Sequence, residues 1–166
     1  MNENNAERSN GRSITFEVIG IPRPGGSKNA IITSRGKVAV FDSCKYNRQW
    51  RDSVAAAAIE AKERLGFVGL MTGPVGIIIN FKLPRPKSHF RTGKYAEQVR
   101  PGAPKYPITK PDYLKLTRST EDALTGILWV DDAQICEAEH TKDYAMEAEN
   151  IGATIRVYEL EGWTDE

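Results

Sequence analysis

Acidic side chains gather in one stretch of the chain. "KPDYLKLTRSTEDALTG" (residues 110–126) carries Asp112, Glu121 and Asp122 with Lys115 and Arg118 among them, and "WVDDAQI" (129–135) adds the adjacent pair Asp131 and Asp132 after an apolar run. Converging carboxylate oxygens are hard ligands suited to Mg2+ or Mn2+. Such a cation orients and deprotonates a water and stabilises the leaving oxygen in phosphodiester hydrolysis. A neighbouring Lys115 or Arg118 then offsets charge on the transferring phosphorus. The plainer account is a solvated helix in which Glu121 pairs with Arg118, three residues away, for little gain. Residue types and spacing admit both.

The acids need elements to hold them. Asp112 follows Pro111 and opens a predicted helix over residues 112–125, with Gly126 as its stop. At about 100° per residue, Leu116, Ser119, Thr120 and Ala123 share one face. Leu114, Thr117, Arg118, Glu121 and Thr125 share the other, with Asp122 between them. Strands are expected at 13–21, where Ile14, Phe16 and Val18 alternate inward, and at 75–83, 134–144 and 150–160. Residues 30–41 read as a hairpin turning near Ser34, Arg35 and Gly36. A helix is expected from a Ser43 cap to Leu65, striped by Trp50, Val54, Ala57, Ala58, Ala61 and Leu65. The order β–β–β–α–β–loop–α–β–β describes a compact single α/β domain over residues 13–160, its mixed sheet covered by two main helices. Residues 1–12 read as a disordered polar leader and 161–166 as a short tail. Trp50 belongs in the core, and Trp129 in the core or between two copies.

The bulk properties narrow the class. A chain of 166 residues with 40% apolar and 27% charged residues suits one globular domain. No stretch approaches the roughly 18 consecutive apolar residues of a membrane span, so no membrane association is expected. The opening has no apolar core of a secretory signal. Cys44 and Cys136 have neither disulfide nor metal spacing, so a reduced, cytoplasmic setting is the expectation. The net charge of +1 conceals an asymmetry: residues 1–120 carry 21 Lys and Arg against 9 acids, residues 121–166 carry 2 against 13. That suits a protein that holds a polyanion and a cation, or two regions that pair with each other. Residues 84–111 hold six of the nine prolines and one acid, Glu97. The segment is either a functional loop, able to lie along a nucleic-acid backbone, or a disordered insert, and equally a passive surface loop. His89 reads as a DNA or surface contact and His140 as structural. Lys142, on the same predicted strand as His140, could face the acids.

The run "KPD…LTRS..DALTG…W.DDAQI" resembles the signature of the RusA family of Holliday junction resolvases, its phage and prophage members above all. "GIPRPGGSKN", "LPRPKSHFRTGK" and "APKYPITKPD" are similar to the family's basic Pro/Gly loops, and the resemblance runs over roughly residues 14–158. It implies a homodimeric, Mg2+-dependent endonuclease, with Mn2+ as a possible substitute, that nicks four-way DNA junctions symmetrically in recombination and repair. It implies Asp112 and Asp132 as metal ligands, Asp131 beside them, and Arg118 as the required basic residue. The family's second helix acid falls on Leu114, whereas Glu121, two turns on and about 20° away in direction, stands where the family is commonly apolar. The expectation is that this carboxylate has moved from 114 to 121, giving Asp112, Arg118, Glu121 and Asp132 as the catalytic set. Arg23, Lys28, Arg85, Lys87, Arg91, Lys94, Lys110 and Lys115 are the expected DNA contacts. They would hold phosphates while selectivity comes from DNA shape. The alternative is a junction-binding protein of the same fold, weakened or inactive because Leu114 lacks the carboxylate.

Overall fold

Alternation decides the first strand: β1 (Ser13–Ile19) buries Ile14, Phe16 and Val18 and exposes the residues between them. The structure, a computed structural model, describes residues 11–26, 28–32, 38–42 and 46–161, with 28–32 and 38–42 described in backbone only. β2 (Lys28–Ile32) and β3 (Val38–Asp42) pair antiparallel as a separate two-stranded ribbon. The expected turn at Ser34, Arg35 and Gly36, the Ser43 cap, Cys44, the side chain of Lys28, and residues 1–10 and 162–166 lie outside the described residues.

The main sheet has the order β1-β6-β4-β5. β4 (Val75–Leu83) and β5 (Ile135–Tyr144) run parallel, and β6 (Gly152–Glu159) is antiparallel to both β4 and β1. β4 is central, and its β-branched run buries Val75, Ile77, Ile79 and Phe81 completely. Gly76 leaves room for the Tyr158 ring on β6, since a Cβ there would fall 2.3 Å from it unless the ring moved.

Two helices cover the sheet, as the pattern predicts. α1 (Asn47–Leu65) buries Trp50, Val54, Ala58 and Ala61. Leu65 departs from the expected stripe and is 55% exposed. The helix ends at Gly66, which takes a left-handed φ of +64°, and Phe67 packs on the core instead. α2 (Tyr113–Leu124) buries Leu116, Ser119, Thr120 and Ala123 as expected, and also Thr117, which the helical wheel places on the polar side. α2 lies between α1 and the site face, so its buried arc is wider than one stripe. Trp50 Nε1 donates to Thr120 Oγ1 at 3.1 Å, the Ser119 hydroxyl bonds the Asn47 side-chain carbonyl, and Arg51 donates to the Asp122 carbonyl at 3.3 Å. These polar contacts fix the rotation of α2 about its axis.

Residues 84–111 fold back on themselves through short 3-10 turns at Lys87–His89 and Gly93–Tyr95 and a bridge between Phe90 and Val99. Arg85 donates to the Pro104 carbonyl at 2.9 Å. Trp129 is fully buried, which assigns it to the core. No helix among the described residues is long and apolar enough to cross a membrane.

Candidate active site

The expected site residues fall at two ends of α2. At its start, Asp112 is the N-cap, its carboxylate accepting the Leu114 N–H at 3.1 Å. An acceptor there satisfies one of the helix's unpaired N–H groups. Lys142 reaches from β5 to donate to the Thr109 and Pro111 carbonyls at 3.2 and 3.1 Å. It therefore holds the chain that leads into α2, its amine spent on backbone carbonyls and not on the acids. A groove of about 550 Å3 opens beside Asp112, lined by Arg23, Lys110, Lys115 and Tyr144 between prolines. Arg85 stacks over Tyr144 at 4.2 Å, and the His89 ring meets the same tyrosine edge-on at 5.6 Å. Cations at a helix N-terminus, where the backbone N–H groups also carry positive charge, suit phosphate. Arg91 and Lys94 lie over Tyr95 on the same loop as Lys87.

At the other end the acids meet. The Thr125 hydroxyl and Trp129 Nε1 both donate to Asp132 Oδ1, the indole at 3.0 Å. Asp131 is occupied locally: it caps the short turn at Asp132–Gln134, accepting the Ala133 N–H at 2.8 Å. Gln134 accepts the Val130 and Asp131 N–H groups at 2.8 and 2.9 Å and donates to the Met71 and Gly73 carbonyls. The turn is thus tied to the chain entering β4, and Asp132 is left at the C-terminal end of α2.

Glu121 is half-buried beside it. Burial chiefly, then the charges of Asp132 and Asp122, push its carboxyl above the usual range. His140 Nε2 on β5 stands 3.7 Å from Glu121 Oε1, too far for a hydrogen bond. Burial lowers the imidazole pKa, so His140 is neutral near pH 7 and supplies Glu121 with no counter-charge. The Tyr113 ring meets His140 edge-on at 5.9 Å, and burial followed by the Glu121 charge raises its phenol pKa. Arg118 is exposed and forms no ion pair with Glu121 among the described residues.

The structure therefore brings Glu121 and Asp132 together but leaves Asp112 apart. The 12 residues of α2 span about 18 Å between the Asp112 end and the Thr125–Asp132 end. Leu114 is 69% exposed. A carboxylate at 121 sits about 10 Å farther along the axis than one at 114, so it serves a different point in space despite sharing a direction. No three His, Cys, Asp or Glu side chains among the described residues stand ready as a metal cluster. The donor set nonetheless suits a divalent cation: oxygens of Glu121 and Asp132, no Lys or Arg paired with either among the described residues, and the partial negative charge of the last carbonyls of α2. His140, which stands beside Glu121, is the residue that sequence alone did not assign to the site. Strand alternation puts His140 on the same face as Lys142, which gives the face but not the end of α2 it meets.

The family model for endodeoxyribonuclease RusA matches residues 22–158. The chain is also 30% identical over 134 residues to the uncharacterized protein YqaN of Bacillus subtilis (strain 168), covering 81% of this chain and 89% of that one. Matched from the basic loop before β2 to the end of β6, the chain belongs to the RusA endodeoxyribonuclease family.

Proposed function

We propose that this protein is a divalent-cation-dependent endonuclease that nicks branched DNA, four-way junctions above all, as a homodimer acting in recombination or repair. The observation that carries the reading is the Glu121–Asp132 pair: two neighbouring carboxylates, one half-buried, at the negative end of a helix, with no basic side chain among the described residues to neutralise them. Burial and the neighbouring charges disfavour the ionised Glu121, a cost that a bound cation would offset. Glu121 and Asp132 would hold that cation, and Mg2+ or Mn2+ supplies activation of a water and neutralisation of the leaving oxygen. Arg23, Lys110 and Lys115 hold phosphates in the groove at the start of α2, and Arg118, exposed on the same helix, offsets charge near the scissile phosphate.

The separation of Asp112 from Asp132 supports the dimer. In a two-fold pair with the α2 helices antiparallel, the Asp132 end of one copy faces the Asp112 end of the other. Two acidic centres then lie a helix length apart, matching a substrate that is itself two-fold.

A second reading, a junction-binding protein that does not cleave, is favoured by one observation: the acids are not already assembled as a metal cluster among the described residues. Single-turnover nicking of a synthetic four-way junction in Mg2+ or Mn2+, beside junction binding in EDTA, separates the two. Paired nicks that require the metal are expected. Tight binding without cleavage in either metal would leave the binding-protein reading.

A further inference from the structure

We infer that the groove at the start of α2 is a nucleotide site that takes one unstacked base of single-stranded or branch-point DNA against Tyr144 and the proline walls, with the flanking phosphates on Arg23, Lys110 and Lys115. The inference deepens the reading of those three cations as phosphate-holding residues and rests on it.

The walls exceed what phosphates alone require. Six of the chain's nine prolines line the groove, with Ile21, Leu83 and Tyr144. Proline has no N–H to offer an oxyanion, and its fixed ring presents a rigid apolar surface. Duplex backbone is held by cations and N–H donors on an open surface. This groove instead has a volume of about 550 Å3, within the roughly 300–1,000 Å3 of sites that enclose a small organic ligand. Ile21 is 44% exposed there, apolar surface that the fold leaves uncovered.

The groove is also held open. The Gly25 N–H donates to the Lys115 carbonyl at 2.9 Å, which seats the loop of Arg23 on α2. Arg85 stacks over Tyr144 at 4.2 Å and the His89 ring meets it edge-on, so the ring that lines the groove is fixed. Lys142 grips the Thr109 and Pro111 carbonyls. Walls fixed before binding lose little freedom on filling. Asp112 is the one acid among the described lining residues, and three cations outnumber it. An anion with a flat apolar body suits this lining, and a nucleotide is one. Bases within a duplex have both faces covered by their neighbours. The base that enters is therefore an unstacked one, such as a single strand or a branch point supplies.

Two single strands of equal charge test this on the full chain in EDTA, by fluorescence anisotropy at one salt concentration. One is a labelled thymidine pentanucleotide. The other has the same phosphates but abasic residues throughout. Wild type should bind the thymidine strand about ten-fold or more tighter than the abasic one. Tyr144→Leu and Ile21→Ser should each bring that ratio below about two-fold, and Tyr144→Phe should keep it. Arg23→Gln should weaken both strands by a similar factor and leave the ratio, because a phosphate contact is blind to the base.

Equal binding of the two strands by a wild type that binds a four-way junction would overturn the base site and leave the junction reading standing. A ratio that survives in both Tyr144→Leu and Ile21→Ser would place the base outside the groove and overturn the inference. A wild type that binds neither strand and no junction would overturn the phosphate reading and this inference with it. If Tyr144→Leu does not fold, Ile21→Ser, a change at an exposed side chain, still decides.

Discussion

Asp132 takes two donors on one oxygen and has Glu121 as its acidic neighbour, so its charge is oriented but not neutralised. Asp132→Asn should abolish nicking and leave junction binding intact or tighter, because less negative charge then faces the phosphates. Nicking at the wild-type rate by the folded variant would remove Asp132 from the cation site. Glu121 makes a stability prediction of its own. Its carboxyl pKa is raised in the folded state, so the folded protein binds that proton more tightly than the unfolded chain does. Stability from this group is therefore present at low pH and is lost as pH rises above the ordinary Glu value. In EDTA, Glu121→Gln should raise the melting temperature at about pH 8 and change it little at about pH 4. An unchanged melting temperature at both values would mean that Glu121 is relaxed in solution.

α2 is braced from two sides, and each brace can be removed. Trp50 and Thr120 share a buried hydrogen bond, so Thr120→Val strands the indole N–H and should cost about 1–3 kcal/mol in a urea titration. Lys142 anchors the opposite side by gripping the Thr109 and Pro111 carbonyls. Lys142→Met should cost less stability, about 1–2 kcal/mol, but should slow nicking, because the chain that presents Asp112 and Lys110 is released. A Lys142→Met protein that nicks normally would confine this lysine to folding. Periodicity located both α2 and β5, because 3.6 and 2 are visible in the order of apolar residues. It misplaced Thr117, since the width of a buried arc depends on how many neighbours press on the helix.

The molecule carries its basic groove and its acidic pair at opposite ends of one helix. Neutralising Lys87, Arg91 and Lys94 together should lower the salt slope of junction binding by up to about 0.7–0.9 for each phosphate that no longer has a cation against it. An unchanged slope would show that this face of the loop does not touch DNA. Two copies of the chain make a sharper prediction. If each site combines Asp112 of one copy with Asp132 of the other, equal mixing of Asp112→Asn and Asp132→Asn chains restores one intact site in each mixed dimer. That amounts to about a quarter of wild-type sites after random exchange. If each site belongs to one chain, the mixture stays inactive.

Ordering along the chain was enough to identify the acids, the basic Pro-rich loop, the α/β class and the family. Those features are local: a residue type, a spacing, a period. Three-dimensional packing decided that Asp131 is occupied by its own turn, that Asp132 lies at the Glu121 end of α2 and not beside Asp112, and that a histidine stands by Glu121. A helical wheel gives direction but no position along the axis, so two residues of like direction can serve points about 10 Å apart. Which strand brings its side chains to which end of α2 depends on the parallel pairing of β4 with β5, a contact between segments far apart in the chain that no local pattern encodes.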